Sequence, residues 1–521
     1  MGKRPNKVRG RDARTQDGRA REARAREGGA RVGLGERMAR LPLVGRFIGG
    51  DPLLRNGVML TLASIAASVL GAAYWIFVGS SGLRYSTGEV GTNQATIFAV
   101  MFLGGVAQLN LADVMVRFTP SAGRNTKRIV VRAYTAAITL ALFSSLGFVL
   151  LIPWVAPGLD FVHTPVMGGV FILAVVTYSI FVIQDGVLTG LRRTHWVLGE
   201  QMLFSVSKIV AVGLFFVFAR QSAILVSWTI ALVFALIFVN TYLFGFAIPS
   251  REREVHRMER RPSWARDHAP GDVTGMHLIP MENTGGMVRF TALTYVGGLF
   301  WLAASTLPQT LILDSFGSAG RNDSAYFSIS WVITTMLYVI STNMGSSIVV
   351  ESAGDPRRLV QAVRTVLRNT GVLLLGGALV VGVAAPLILR LFGPDYPGHA
   401  TMLLRLLVLS SVPNLITATA LAAFRVRRKA GMVLLVYAAI CIMVFGLFWT
   451  LKPSMGLAAM GMAWLITQCV AASLLLLFRR AWLPSGKRPE KRRGSKKAKL
   501  ETIPLVPLPQ HREWARAEEE H

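Results

Sequence analysis

The sequence predicts an all-α integral membrane protein with about twelve transmembrane helices in two six-helix lobes, related by pseudo-two-fold symmetry along the membrane normal. The mean hydropathy is +0.47, 52% of the residues are hydrophobic, and only 16% are charged, against about 25% in a typical soluble chain. So little charge leaves apolar runs long enough to cross a bilayer. The one long polar interruption, residues 250–286, divides these runs into six and six, which is typical of a two-lobed transporter.

Twelve apolar runs reach the length of about 20 residues that a membrane-spanning helix needs. The spans are predicted near 56–79, 93–114, 129–154, 165–189, 195–219, 222–248, 287–313, 324–349, 360–388, 398–424, 430–450 and 456–478. Between them, the even-numbered loops hold 21 Lys and Arg residues and the odd-numbered loops hold five. Because basic loops stay on the cytoplasmic side, both termini and the central loop are predicted to be cytoplasmic.

The domain organisation follows from these spans. It consists of a basic cytoplasmic N-terminal tail (1–52), a first lobe (53–249), a cytoplasmic linker loop (250–286), a second lobe (287–479) and a polybasic cytoplasmic C-terminal tail (480–521). The net charge of +28 comes mainly from the tails and the even-numbered loops, so we interpret it as topology and expect no nucleic-acid partner. The basic cluster at 487–499 follows the last span directly, where anionic lipids attract each Lys or Arg by about 1 kcal/mol.

The two lobes repeat each other in sequence. Residues 121–123 (SAG) recur as residues 352–354, after the second span of each lobe. The turn at 187–193 (VLTGLRR) is similar to residues 420–425 (ALAAFR), after the fourth span of each lobe. The separations are 231 and 233 residues, and this common offset favours a duplication of six spans. With an even number of spans per lobe, both lobes enter the membrane from the same side, so their symmetry axis runs along the membrane normal.

Four stretches resemble a known family of transporters. They are residues 391–396 (LFGPDY) with the following helix to Arg425, 109–120 (LNLADVMVRFTP), 325–331 (AYFSISW) and 184–192 (QDGVLTGLR). They are similar to the corresponding stretches of bacterial polysaccharide flippases, which belong to the multidrug/oligosaccharidyl-lipid/polysaccharide exporter superfamily. The resemblance covers roughly residues 52–480.

The resemblance implies a flippase of the bacterial plasma (inner) membrane. Its expected activity is alternating-access transport of a polyprenyl-diphosphate-linked oligosaccharide from the inner to the outer leaflet for cell-surface polysaccharide assembly. Expected partners are this lipid-linked oligosaccharide, a coupling proton or cation, anionic lipids at the basic tails, and polysaccharide-synthesis enzymes. Lipid II flippases of the superfamily usually have fourteen spans, and the twelve spans predicted here favour the polysaccharide branch.

Among the ionisable side chains within or at the ends of predicted spans, where a charge costs about 2.5–3.5 kcal/mol at mid-helix, five are candidates for the functional site. Lys208, Arg405 and Arg289 are the candidates for binding a diphosphate or acidic sugars, which need fixed positive charge away from bulk water. Asp185 and Glu200 are the candidates for proton or cation coupling, or for holding the basic groups in place. The alternative for Arg289, Asp185 and Glu200 is that they reach the headgroup region. Because the lobes are symmetric about the membrane normal, Lys208 and Arg405 could face one central space.

Other functions remain open at this point. A cation-coupled multidrug exporter of the same superfamily would have a tighter cavity dominated by acidic residues, whereas the deepest charges here are basic. A lipid II flippase is a further alternative. A polyprenyl-sugar glycosyltransferase or polymerase is the weakest, because its catalytic carboxylates or arginines would need long outer loops, and the outer loops here are short. No metal spacing, nucleotide-binding motif or nucleophile arrangement is present, so we expect a transporter without cofactor, and not an enzyme.

Overall fold

The computed structural model describes residues 70–79, 85–191, 193–215, 222–259, 284–352 and 356–483, and these ranges are helical apart from short turns. The first lobe contains α1 (Leu70–Gly79), α2 (Thr87–Ala107), α3 (Leu111–Phe118), α4 (Thr126–Val155), α5 (Pro165–Gly190), α6 (Thr194–Phe215), α7 (Ala223–Tyr242) and α8 (Ile248–Glu259). The second lobe contains α9 (Thr284–Ser315), α10 (Gly320–Glu351), α11 (Pro356–Arg390), α12 (Tyr396–Leu409), α13 (Ser411–Val426), α14 (Ala430–Met455) and α15 (Ala458–Leu477).

The predicted fold class is confirmed. Within the described ranges, eleven helical segments are long and apolar enough to cross a membrane, and they coincide with the second to twelfth predicted spans. The short apolar helix α1 forms the end of the predicted first span, whose residues 56–69 lie outside the described ranges. Of the predicted linker, residues 250–259 belong to α8, which continues α7 through a π turn at Leu243–Ala247. The rest of the linker to 283, and the tails before 70 and after 483, lie outside the described ranges.

The second span is two helices where the sequence predicts one. After α2 ends, Leu109 (φ 48°) and Asn110 (φ 57°) both adopt the left-handed conformation, and α3 begins at Leu111. Asn tolerates this conformation through its short polar side chain, whereas Leu is destabilised in it by about 1–2 kcal/mol. The carbonyl oxygen of the Gln108 side chain accepts a hydrogen bond from the Ala112 backbone N–H at 3.3 Å and so caps the start of α3.

The tenth span is also interrupted, at Ser410 between α12 and α13. Pro413 has no N–H to donate to the carbonyl four residues earlier, which weakens the helix at this position. Ser410 Oγ donates to the Leu407 carbonyl at 2.5 Å and is hydrogen-bonded to the Tyr338 hydroxyl at 2.8 Å. The interruption therefore lies against the middle of α10, near the centre of the second lobe.

The two lobes meet through α2, which packs against both α9 and α10. Three close approaches join the ends of the helices at the predicted outer face, and we name these contacts the outer seam. A methyl group added to Gly79 would lie 2.0 Å from the carbonyl oxygen of Phe392, and one added to Gly91 would lie 1.8 Å from that of Arg321. The third contact is a 2.6 Å hydrogen bond from the Gly158 N–H to the Asp314 carboxylate. The lobes are thus closed against each other at the predicted outer face.

Candidate functional site

A chain of hydrogen bonds crosses four helices of the first lobe and ends on a carboxyl group. The Tyr134 hydroxyl of α4 donates to the Asn240 side chain of α7 at 3.0 Å. The Asn240 amide donates to Gln184 Oε1 of α5, and Gln184 Nε2 donates to Glu200 Oε1 of α6 at 2.5 Å. Every donor in this relay points toward Glu200, so the relay complements negative charge on that carboxyl. We name these residues the first-lobe relay.

Asp185 lies beside the end of the first-lobe relay, so the structure brings the two predicted acidic candidates together. The carboxyl groups of Asp185 and Glu200 lie close enough to interact electrostatically. Asp185 Oδ2 also accepts from Gln201 Nε2 at 3.5 Å. Oδ1 of Asp185 and Oε2 of Glu200 are buried and accept no hydrogen bond from the described residues. A proton or a small cation held between the two carboxyl groups would satisfy both oxygens and remove the repulsion between two like charges.

Lys208 is packed inside the first lobe with only 7% of its surface exposed. Its Nζ atom lies 4.7 Å from the centre of the Tyr74 ring and 5.2 Å from that of Phe204. Among the described residues, no carboxylate pairs with this ammonium group. Two aromatic faces stabilise a desolvated cation by about 2 kcal/mol or more, which offsets part of its burial. The remaining cost favours an anionic partner for Lys208 in some state of the protein.

Tyr74 connects Lys208 with the second lobe. The Tyr74 hydroxyl is hydrogen-bonded to Ser227 Oγ at 3.3 Å. The Tyr74 ring belongs to the same buried apolar cluster as Tyr326 and Phe392 of the second lobe, and the Phe392 carbonyl is one of the outer seam contacts. Separation of the lobes at the seam would therefore uncover Tyr74 and open a route toward Lys208.

Arg405 and Arg289 do not join Lys208. Arg405 lies on an exposed face of α12 together with Met402 and Leu409, and its Nε atom donates to the Gly382 carbonyl of α11 at 3.0 Å. Arg289 is exposed, near the start of α9. The closed structure thus separates the three predicted cationic candidates: one is buried in the first lobe, and two are exposed on the second.

The second lobe contains a group of buried polar side chains that the sequence did not indicate as a site. Trp464, Thr467 and Gln468 share one face of α15 and are fully buried. Trp464 Nε1, Thr467 Oγ1 and both polar atoms of Gln468 have no hydrogen-bond partner among the described residues. The Trp464 ring lies 4.8 Å from the Trp331 ring and 6.3 Å from that of Tyr338, beside the interruption of the tenth span. These side chains are neutral, in contrast to those of the first lobe.

The relay partners of Glu200 were also missed by the sequence analysis. Tyr134, Gln184 and Asn240 are polar residues in largely apolar helices, where such side chains commonly form hydrogen bonds between helices. One feature of the sequence could have indicated the relay: Gln184 is adjacent to the acidic candidate Asp185. No group of three or more His, Cys, Asp or Glu side chains suited to a metal ion occurs within the described ranges. The arrangement can hold a proton or monovalent cation at one place and an anion at another.

The comparisons with known proteins concern the fold. No family model matches this chain. No curated protein matches it either. Solved structures do match. A MATE in complex with MaD5 has a TM-score of 0.57 and 16% identity, over 84% of this chain and 97% of that one.

Two further structures give the same result. A MATE in the straight conformation has a TM-score of 0.55 and 15% identity, and the outward-facing conformation of a multidrug resistance MATE family transporter of the MOP superfamily has a TM-score of 0.51 and 16% identity. Both cover 84% of this chain and 97% of the other. At this level of identity the likeness concerns architecture. The chain has the two-lobed helical fold of MATE transporters.

Proposed function

We propose that the protein is an alternating-access transporter that moves a polyprenyl-diphosphate-linked oligosaccharide from the inner to the outer leaflet. The observation that carries the proposal is Lys208, a buried cation that no described carboxylate neutralises. A diphosphate supplies the missing negative charge, and charge-assisted hydrogen bonds to it are about twice as strong as neutral ones. The outer seam supports alternating access, because one closed end is what such a cycle requires.

Arg405 and Arg289 remain candidates for later contacts with the same substrate. Both side chains are exposed on the second lobe, and the Arg405 guanidinium donates to the Gly382 carbonyl through Nε. Its two terminal nitrogens are suited to a phosphate oxygen. In this scheme the substrate reaches Lys208 after the lobes move, and the two arginines act in a different state of the cycle.

Asp185 and Glu200 are the proposed coupling site. Their two buried oxygens without protein partners lie at the end of the first-lobe relay, about 12 Å from Lys208 along α6. Binding of a proton or cation there changes the charge of α6, the helix that carries Lys208. Coupling therefore requires no direct contact between the ion and the substrate.

The second candidate function is a cation-coupled multidrug exporter, which the carboxyl pair favours, because a buried acidic site attracts cationic compounds as well as protons. The structures with the same fold include one described as a multidrug resistance transporter. In that function the carboxyl pair binds the substrate itself, and Lys208 has no role in recognition.

The experiment that separates these functions is transport by the purified protein in liposomes. One set of vesicles contains a lipid-linked oligosaccharide and the other a fluorescent cationic drug. We expect wild type to flip the lipid-linked oligosaccharide and Lys208→Ala to flip it at least tenfold more slowly, with Lys208→Arg retaining more activity. The matched control is Cys441→Ala, because Cys441 lies 233 positions after Lys208, at the corresponding place in the second lobe. This variant should transport normally. Export of the drug without flipping of the oligosaccharide would replace this proposal by the exporter.

A further inference from the structure

Two turns at the predicted inner face of the second lobe lie against each other. The first follows α13 and contains Arg427, Arg428 and Lys429, and the second follows α15 and includes Arg479–Ala481. Arg427 Nη1 donates to the Ala481 carbonyl at 2.6 Å, and Lys429 Nζ donates to the same oxygen at 3.0 Å. Two full positive charges thus converge on one neutral oxygen. Two like charges held this close repel each other, and a nearby anion would reduce that repulsion.

The second turn is held rigidly in place. Trp482 is only 1% exposed, and its Nε1 donates to the Leu475 carbonyl at 2.8 Å. This bond folds the chain back onto the end of α15, so that Arg479 and Arg480 stay next to the first turn. Arg428, Arg479 and Arg480 are exposed and make no hydrogen bond through their side chains to another described residue. We name the five cations of the two turns the inner basic site.

The charge of the inner basic site is not balanced by the surrounding protein. Between residues 396 and 489 the sequence contains no Asp or Glu. Among the described residues, none of the five cations pairs with a carboxylate. The C-termini of α13 and α15 each contribute about −0.5 elementary charge, together about −1 against five positive charges. Complementing the two helix ends therefore accounts for only part of this cluster.

An exposed apolar surface borders the arginines. On the last turns of α15, Leu474 is 50% exposed, Leu477 is 74% exposed and Phe478 is 62% exposed. Leu477, Phe478, Arg479 and Arg480 line one shallow groove at the end of the helix. Apolar side chains at the level of the acyl chains, followed directly by cations at the level of the headgroups, match the two parts of an anionic lipid.

The corresponding face of the first lobe is different. There α8 supplies acidic groups to the basic residues: Arg251 pairs with Glu254 at 3.0 Å, and the Lys127 backbone N–H donates to Glu252. Among the described residues, acidic groups thus lie among the basic residues at the inner face of the first lobe but not beside the inner basic site. If these basic residues served only to set the topology, we would expect them equally at the inner ends of both lobes. Topology would also not require two of them to donate to one carbonyl oxygen.

We propose that the inner basic site binds the phosphate group of an anionic phospholipid of the cytoplasmic leaflet, with the acyl chains on Leu474, Leu477 and Phe478. Arg428, Arg479 and Arg480 contact the phosphate, while Arg427 and Lys429 hold the second turn and add to the local positive potential. The bound lipid fixes the inner ends of α13 and α15. A phospholipid fits better than a soluble phosphate because the groove continues onto apolar surface that faces outward from the lobe.

The test is native mass spectrometry of the full-length protein in detergent, titrated with phosphatidylglycerol or with phosphatidylcholine. We expect wild type to retain phosphatidylglycerol and to bind phosphatidylcholine at least tenfold more weakly. The variant Arg428→Gln/Arg479→Gln/Arg480→Gln should bind phosphatidylglycerol at least tenfold more weakly than wild type. It leaves both hydrogen bonds to Ala481 intact, so circular dichroism and thermal unfolding should show a folded protein.

The matched control is Lys127→Gln/Arg128→Gln/Arg257→Gln, which removes the same charge from exposed positions of the first lobe. It should retain phosphatidylglycerol. An equal loss in both triple variants would overturn the proposal, since total charge would then explain the binding. A polyprenyl diphosphate titrated in parallel distinguishes the other lipid source: if only its binding depends on the inner basic site, the assignment to a phospholipid is wrong. Transport is not measured, so the result is independent of the proposed flippase activity.

Discussion

The two lobes share a scaffold and differ in their buried chemistry. In the first lobe, Glu200 ends a four-helix relay and Lys208 lies between aromatic rings. The residues 233 positions later are Val433 and Cys441, both buried and neither charged at neutral pH. The residue 233 positions after Asp185 is Ala418. A repeated architecture therefore carries ionisable groups in one copy and apolar groups in the other.

Some buried features occur in both lobes, whereas others occur in one lobe only. Both lobes keep a Trp in the core on their last spanning helix, Trp228 on α7 and Trp464 on α15. The first-lobe relay has its donors and acceptors largely paired, whereas Gln468 in the second lobe has no partner among the described residues. We infer that ion coupling, as proposed, depends on the first lobe.

The largest expected effect comes from separating the lobes at the outer seam. The different buried chemistry of the two lobes affects transport only if this seam couples their movements. In Gly91→Ala the new Cβ atom would lie 1.8 Å from the Arg321 carbonyl oxygen and 2.9 Å from the Ala325 nitrogen. Backbone atoms cannot rotate away, so overpacking should destabilise the closed seam by about 2 kcal/mol, roughly a 30-fold shift in population. We expect faster labelling of Ala325→Cys by an impermeant maleimide in a background in which Cys441 and Cys469 are replaced by Ala.

The control for this variant is Gly298→Ala in α9, where an added methyl group meets no atom within 4 Å. It should leave both labelling and transport unchanged. If Ala325→Cys is labelled no faster with Gly91→Ala than with Gly91, the seam adjusts to the added methyl group without opening, and the prediction is wrong.

The second prediction tests whether the carboxyl pair makes the first lobe ion-sensitive. Glu200→Gln keeps the shape and the hydrogen bond that Gln184 can donate, but removes one of the two carboxyl groups. Wild-type transport should depend on a proton or cation gradient, and the variant should be insensitive to it and about tenfold slower, within the range of typical coupling energies. Val433→Ala at the corresponding position of the second lobe should keep the gradient dependence. Transport is measured in liposomes with imposed pH and sodium gradients.

The third prediction compares two fully buried glutamines. Gln184→Leu removes the partner of both Glu200 and Asn240, so it should lower the free energy of unfolding by about 2–3 kcal/mol. Gln468→Leu removes an amide without described partners, and should be neutral or stabilising. Thermal unfolding in detergent gives both values. A similar loss of stability in both variants would mean that Gln468 is satisfied by buried water and that the lobes do not differ in this respect.

Much of the architecture could be predicted from the sequence. The alternation of basic loops and the length of the apolar runs predicted every span that the described residues contain. The positions of Asp185 near the end of the fourth span and of Glu200 near the start of the fifth are compatible with their approach, because a short turn joins antiparallel neighbours. These features depend on short stretches of sequence or on depth in the membrane. Both follow directly from the position of a residue along the chain.

The remaining features depend on helix rotation, which depth does not fix. Lys208 and Arg405 lie in spans that the symmetry could bring together, yet Lys208 is turned into its own lobe and Arg405 toward α11. Tyr134, Gln184 and Asn240 form a relay only because α4, α5 and α7 present them to one another. Leu109 itself gave no signal of the break, since Leu is a strong helix former.

The smallest expected effect concerns that break, which the lobes do not share: the second span of the first lobe is interrupted, while α10 runs continuously from Gly320 to Glu351. Leu109 has φ 48° and is 44% exposed, so its conformation is strained and its side chain contributes little packing. Leu109→Gly should raise the free energy of unfolding by about 0.5–1 kcal/mol, because relief of strain exceeds the entropy cost of Gly. Leu142→Gly, at an equally exposed (46%) position inside α4, should lower it by about 1 kcal/mol. Thermal unfolding should therefore give shifts of opposite sign, and a loss of stability in both variants would mean that the left-handed residue is not under strain.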